Sequence, residues 1–316
     1  MKKSRHLWIV VIVFLVTGIA GWTESTLGQN VPWENSYWKA KCSFSRIYAF
    51  GDSLTDTGNF FDLTGEPPEP YFQGRLSNGY VWIEYLSKYL GINDDDVTNY
   101  AFAGATTGRD NTYDIPDVAD FPGLQDQLDF FESGLQGEQA DPDALYVVWA
   151  GANDFFVNGA SPETIGTAIQ NLVLAVQRLH FAGAKHILVL NLPDLGRTPF
   201  GRATDPEGLS FLTSIFNSEL SNALDQISSL GISTIRVDVV EVLNSIEANP
   251  KRYGFSNVTD SYLDTGEGDP NQYLYWDSVH PTTRGHRVTA IAAFRVLASY
   301  RFQLLIQQFI QKYAGT

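Results

Sequence analysis

The stretch Ser45-Arg46-Ile47-Tyr48-Ala49-Phe50-Gly51-Asp52-Ser53-Leu54-Thr55-Asp56 decides the fold of this chain. Its first half is a short run of β-branched and aromatic residues, the composition of a strand, and Gly51 then permits a tight turn. Ser53 is thereby placed at the carboxyl edge of a strand, close to a following helical turn. The pattern recurs downstream: runs 97–101, 144–150, 185–191 and 233–238 also read as strands, with helical patterns between the later ones. Such alternation calls for a parallel sheet with helices on its faces. Between the third and fourth strands Ser161 is an N-cap and Pro162 a first helical residue. Ile165, Ala168, Ile169, Leu172, Val173, Val176 and Leu179 then keep a 3.6-residue spacing that Gly183 ends. Amphipathic segments at 209–230, stopped by Gly231, and at 283–313, following Pro281, are expected to cover the sheet. No Pro/Gly/Ser linker, internal repeat or long charge block divides the chain after Ser45, so residues 45–316 are expected to form one α/β domain.

Composition narrows the function classes. Of 316 residues, 44% are hydrophobic and 18% charged, a balance that supports a sizeable core and excludes a disordered chain. The 21 Lys and Arg stand against 36 Asp and Glu, a net charge of −15 that lacks the electrostatic footprint for a phosphate backbone. Nucleic acid is therefore not an expected partner. Cys42 is the only cysteine, which rules out an intramolecular disulfide, a four-cysteine zinc site and a C-x-x-C redox pair. The acidic runs 93–96 and 110–114 lack calcium-loop spacing and read as solvated loops. No H-E-x-x-H, G-x-x-x-x-G-K or helix-opening G-x-G-x-x-G occurs, so neither metal nor nucleotide cofactor is expected.

The amino-terminal residues have the order of a secretory signal: Lys2, Lys3 and Arg5, an apolar run from Leu7 to Val16, then the small residues Gly18, Ala20 and Gly21. Residues 1–20 are expected to be removed, with cleavage after Gly28 as the alternative. The apolar stretch is shorter than the roughly 18–20 residues of a comfortable membrane span, so no stable membrane anchor is expected once it is cleaved. An uncleaved anchor is the opposing reading. Loss of residues 1–20 removes three positive charges and no negative ones, leaving −18 and a secreted or periplasmic chain more acidic still.

Three further segments sit at strand exits or in loops. Asn99-Tyr100-Ala101-Phe102-Ala103-Gly104-Ala105 follows the second strand, Gly151-Ala152-Asn153-Asp154 the third, and Asp277-Ser278-Val279-His280-Pro281 precedes the last helix. Taken alone, Gly-Asp-Ser is a common turn, Gly104 a turn glycine and Asn153 an Asx turn. In a parallel sheet, however, neighbouring exits converge, and ligands bind at that edge. Ser53, Gly104, Asn153 and His280 would then surround one pocket.

In this order the four segments resemble the signature blocks of the GDSL or SGNH family of serine esterases and lipases, over residues 45–292. The passages Gly74-Arg75-Leu76-Ser77-Asn78-Gly79, Asn191-Leu192-Pro193-Asp194-Leu195-Gly196 and Tyr273-Leu274-Tyr275-Trp276-Asp277 resemble its larger branch of plant GDSL lipases and bacterial lecithinase-like or hemolysin-like enzymes. That branch often carries cysteines in its later loops, which this chain lacks. The resemblance implies a three-layer α/β/α sandwich around a central parallel five-stranded sheet. It also implies an ester substrate, either a small molecule or a lipid, and no cofactor.

Chemistry gives each matched residue a role. A serine hydroxyl is a weak nucleophile and needs a base, so Ser53 calls for His280, whose ordinary pKa near 6.5 lets it take and return a proton at neutral pH. Asp277, three residues earlier, can fix the ring tautomer and stabilise the imidazolium. Gly104 and Asn153 would complete an oxyanion hole with the Ser53 N–H. His180, His186 and His286 lack an Asp three residues upstream in that pattern and read as packing or surface residues. Asp52, Asp56, Asn59 and Asp154 read as supporting or capping residues. Phe60, Phe61, Trp149, Phe155 and Phe156 fit either an acyl pocket or the core. The expected activity is hydrolysis of carboxylic esters through an acyl-serine. The alternatives are acyl transfer or phospholipid cleavage by the same residues, and a non-catalytic glycan-binding surface protein exploiting the 20 Phe, 15 Tyr and 7 Trp.

Overall fold

The computed structural model describes residues 44–115 and 121–314; the expected signal and Cys42 lie outside them. Strands β1 (Ile47–Gly51), β2 (Val97–Asn99), β3 (Leu145–Trp149), β4 (His186–Leu190) and β5 (Ile235–Val237) pair in the order β2-β1-β3-β4-β5, all parallel. Each coincides with an expected run. β2 is shorter than its run because the chain bends away at Tyr100, yet Tyr100 and Phe102 still donate to Ala49 O at 2.8 Å and Gly51 O at 3.0 Å. Since the chain steps from β1 to β2 on one side and then to β3 on the other, the carboxyl ends of β1 and β3 flank a topological switch point.

The helices of six or more residues are α1 (Asn59–Thr64), α2 (Trp82–Leu90), α3 (Leu124–Gly134), α4 (Ala152–Asn158), α5 (Pro162–Ala182), α6 (Pro199–Thr204), α7 (Pro206–Ser229), α8 (Val239–Ala248) and α9 (Thr283–Ala314). Because successive strand side chains point to opposite faces, the sheet separates two cores. Ile47, Ala49, Leu145, Val147 and Leu188 pack with Trp82 and Leu86 of α2 and Ala290 and Leu297 of α9. Phe50, Tyr146, Val148, Ile187 and Val189 pack on the other side with Leu128 of α3, Leu172 of α5 and Phe216 of α7. The result is the three-layer α/β/α sandwich with a five-stranded parallel sheet.

α5 starts and ends where its sequence signals place it: Ser161 Oγ accepts from Thr164 N–H, and Gly183 closes it in the left-handed conformation. α7 begins earlier than its apolar period does, because Asp205 accepts from Gly208 N–H at 3.0 Å and Pro206 occupies the first turn. α2, α3 and α8 are short amphipathic helices outside the expected segments. Each start is fixed by a local carboxylate: Glu84 takes Val81 N–H, Asp126 takes Gly123 N–H and Asp238 takes Glu241 N–H. Outside the main sheet, β6 (Asn257–Ser261) and β7 (Tyr273–Tyr275) form a two-stranded parallel pair, over a core of Phe255, Leu274 and Tyr275 with Leu243 and Ile246 of α8.

At the end of β1 the sheet loses a backbone partner, and the fully buried Gln127 of α3 replaces it. Gly51 N–H donates to Gln127 Oε1, and Gln127 Nε2 donates back to Gly51 O, both at 2.8 Å. Gln127→Met keeps the volume and orphans the Gly51 N–H, while Gly51 O keeps its bond from Phe102 N–H. The expected cost is about 1–3 kcal/mol, seen as a lower urea midpoint; an unchanged midpoint would show that the pairing is dispensable.

Candidate active site

The loop after β1 is shaped by Gly51, whose φ of +154° and the closeness of the Trp149 carbonyl oxygen leave no room for a Cβ. Thr55 and Asp56 N–H groups both donate to Asp52 O at 2.9 Å, so residues 52–56 make a single turn that presents Ser53. A continuous helix begins only at Asn59. The buried Asp56 carboxylate accepts from the N–H groups of Gly58, Asn59 and Phe60 and, across the gap, from Ala103 at 2.8 Å. Asn59 Nδ2 adds bonds to Asn99 O and Ala101 O at 2.9 and 2.8 Å. These contacts hold the loop after β2 against the serine turn.

Gly104 stands in that second loop with φ +80°, and Asn111, Thr112 and Tyr113 occupy the space a Cβ would need. Thr112 N–H donates to Gly104 O at 2.9 Å. Neither Ser53 N–H nor Gly104 N–H donates a hydrogen bond among the described residues. Asn153 lies in the first turn of α4, its Nδ2 donating to Ala105 O at 3.0 Å, which leaves the second N–H of the amide for another acceptor. Asp154 reaches from the same turn to Thr107, accepting its N–H at 2.9 Å and its hydroxyl at 2.5 Å.

The fourth segment hangs from β7. Trp276 N–H donates to His280 O at 2.8 Å and Thr282 N–H to Leu274 O at 2.8 Å, closing a tight hairpin. Inside it Asp277 Oδ1 accepts from Val279 and His280 N–H at 2.9 and 2.7 Å, while Oδ2 stands 2.8 Å from His280 Nδ1. His280 Nε2 lies 2.9 Å from Ser53 Oγ. Ser53, His280 and Asp277 thus form a continuous hydrogen-bonded chain across 227 residues of sequence separation, and Gly104 and Asn153 line the cavity into which it opens.

Electrostatics follow from burial and pairing. Burial drives Asp277 up, but His280 and the two backbone N–H groups outweigh it and bring the carboxyl down to about 2. Burial lowers His280, and the Asp277 carboxylate with Asp52 more than reverses this, so its pKa ends above 6.5. Burial lifts Asp52 to about 7, against the pull of the Leu54 N–H. Among the described residues no group of three or more His, Cys, Asp or Glu is arranged to hold a metal ion.

The cavity measures about 450 Å³ and is walled mainly by apolar side chains, including Trp149, Phe155, Phe156, Phe200, Val242 and Leu274. Of the five aromatics that fit either pocket or core, Phe156 stands half-exposed at the cavity, Trp149 and Phe155 line it while also packing in the two cores, Phe60 packs with Phe102 and Phe121, and Phe61 lies beneath Gly74. His180 ends α5, and His186 Nδ1 meets Tyr300 Oη at 2.9 Å on the far side of the sheet. His286 is buried in α9 near the His280 pair, where burial takes it down to about 3 and keeps it neutral. Two contributions escape sequence reasoning. The cavity wall from α8 lies in a short element without a motif. Tyr71, whose hydroxyl donates to Asp277 Oδ2 at 3.0 Å, is 206 residues away from it in sequence.

A family model described as GDSL-like Lipase/Acylhydrolase matches residues 47–293. A phosphatidylcholine-sterol acyltransferase of Aeromonas hydrophila is 32% identical over 223 residues, covering 68% of this chain and 64% of that protein. The chain thus spans slightly less than two thirds of that relative. A thermolabile hemolysin of Vibrio parahaemolyticus is 27% identical, covering 85% of this chain and 68% of its own. A GDSL esterase/lipase of Arabidopsis thaliana is 27% identical, covering 79% and 88%. With the family model spanning most of the sequence and all four motif segments within it, this chain belongs to the GDSL-like lipase/acylhydrolase family.

Proposed function

We propose that this chain is a secreted hydrolase of carboxylic esters, working through an acyl-serine intermediate, with residues 1–20 as its export signal and residues 45–316 as its catalytic domain. The observation that carries the reading is the unbroken chain from Ser53 Oγ through the His280 ring to Asp277, opening into an apolar cavity. Ser53 Oγ attacks the ester carbonyl carbon while its proton passes to His280 Nε2. The carbonyl oxygen becomes an oxyanion, received by the N–H groups of Ser53 and Gly104 and the Asn153 amide. Collapse breaks the bond to the alcohol oxygen, which leaves with the proton from Nε2. Water then gives a proton to the same nitrogen, attacks the acyl carbon and releases the acid, restoring the serine. Asp277 holds the Nδ1–H tautomer throughout and offsets the charge of the imidazolium.

The substrate we assign is an uncharged acyl ester, as a small molecule or in a lipid, with the acyl chain in the aromatic-walled cavity. At −18 once residues 1–20 are removed, the chain disfavours strongly anionic esters at low salt. The name of the Aeromonas relative favours a second reading, in which an alcohol replaces water in the deacylation step. Competition between water and added alcohol for the acyl-serine separates the two.

A fluorophosphonate probe should label Ser53, and a panel of p-nitrophenyl esters, phospholipids and acetylated sugars should show turnover that Ser53→Ala abolishes. A labelled peptide lacking Ser53, or turnover surviving the substitution, would sink the assignment. Asn153→Ala should lower kcat by about 10²–10³ with the fold retained; a change within about threefold would move the oxyanion donor elsewhere. Because Asp277 raises the His280 pKa above the ordinary 6.5, and only the neutral ring accepts the serine proton, kcat/KM should fall as pH drops through that raised value. An acid limb at or below pH 6.5 would contradict the pairing as described.

A further inference from the structure

The segment between α1 and α2 is fastened to the hairpin that carries Asp277 and His280. Ser77 Oγ donates to Pro281 O at 2.9 Å, Asn78 Oδ1 accepts from Thr283 N–H at 2.8 Å, and Thr283 Oγ1 donates to Tyr80 O at 2.8 Å. Within the segment, Tyr71 N–H donates to Pro68 O and Phe72 N–H to Ser77 O, at 3.1 and 2.9 Å. The Tyr71 ring stands edge-on to Trp276, with centroids 6.0 Å apart. Both ends of the phenol are therefore fixed, and its hydroxyl is aimed at one oxygen of Asp277.

That oxygen is the one that matters. Asp277 Oδ1 accepts from two backbone N–H groups of its own hairpin, which orient the carboxylate, and lies 3.0 Å from His280 Nδ1. Oδ2 makes the shorter contact with His280 Nδ1, and Tyr71 Oη is its other donor. We propose that Tyr71 is a positioning residue for the triad, locking Asp277 Oδ2 toward His280 and drawing off part of its negative charge so that the ring is held without becoming too basic. A donor on a carboxylate stabilises the charged form and weakens the hold of that charge on a neighbouring cation. The phenol itself stays protonated, since burial and then the Asp277 charge push its pKa up. The other groups facing the pair are Asp52 from the serine turn, His286 on α9, and Tyr113 from the Gly104 loop. Of these only Asp52 adds negative charge near His280, and it belongs to a different element, so it is untouched by a change at position 71.

The inference rests on the hydrolase reading for its kinetic consequence but has a readout that needs no turnover. The His280 ring is titrated by NMR in histidine-labelled wild-type protein and in Tyr71→Phe, with kcat and KM for a p-nitrophenyl ester measured alongside. In the variant the His280 midpoint should move to higher pH, and the acid limb of kcat/KM with it. In addition, kcat should fall about three- to thirty-fold at an unchanged KM, as expected when one of several bonds orienting a base is lost. Identical His280 midpoints in the two proteins would overturn the proposal, and so would a lower thermal midpoint accompanied by no change in the titration, which would make Tyr71 a packing residue. A wild-type protein without esterase activity would refute the hydrolase reading alone, while the two midpoints would still decide the role of Tyr71.

Discussion

A buried carboxylate that makes no hydrogen bond to Ser53 governs the geometry around it. Asp56 gathers N–H groups from Gly58, Asn59 and Phe60 and a fourth from Ala103 in the neighbouring loop. Burial pushes its pKa up, and those four donors are what oppose that rise. Charge-assisted bonds of this kind are about twice as strong as neutral ones, and removing a single donor exposes the others to a buried, less solvated charge. The exits of β1 and β2 are thereby held as one unit. Ser53 and Gly104 sit on either side of that unit, so Asp56, together with Asn59 and Asn99, holds their separation.

The same division of labour runs through the rest of the site. Asp154 ties α4, with Asn153, to Thr107 in the Gly104 loop, and Asn99 Nδ2 reaches back to Thr55 O at 2.7 Å. The polar network occupies the floor, and within it the Ser53 and Gly104 N–H groups and the second N–H of the Asn153 amide are left open among the described residues. Above it the cavity wall is apolar, with Phe156 and Phe200 stacked edge to face, 5.7 Å between centroids, at half-exposed positions. Polar groups thus fix the reacting atoms, while dispersion and desolvation act on the remainder of a ligand.

How much of this was legible in the sequence depends on the range of the signal. The five strands were, because each is a compact apolar run flanked by turn residues. So was α5, whose Ser161-Pro162 start and Gly183 stop are local codes. The Asp277–His280 spacing is likewise local, since one hairpin turn accounts for the 2.8 Å contact. The short helices α2, α3 and α8 were not read although each is amphipathic, because helices of nine to eleven residues are marginal on their own and tertiary packing decides them. Gln127 and Tyr71 were invisible for a stronger reason: each acts on a residue far away in sequence, and nothing about a glutamine inside a helix or a tyrosine in a loop announces its target.

The triad is divided between two structural bodies. Ser53, Gly104 and Asn153 belong to the edge of the five-stranded sheet, whereas Asp277 and His280 belong to the hairpin beyond β7, whose own sheet has only two strands. A two-stranded pair over a small core is the less cooperative of the two, and local openings concentrate in such units. Warming should therefore separate Asp277 and His280 from Ser53 while the sandwich still holds its native far-UV circular dichroism. The Ser53–His280 contact would be lost before the fold, and the interval between them would measure the stability of the hairpin with the segment fastened to it.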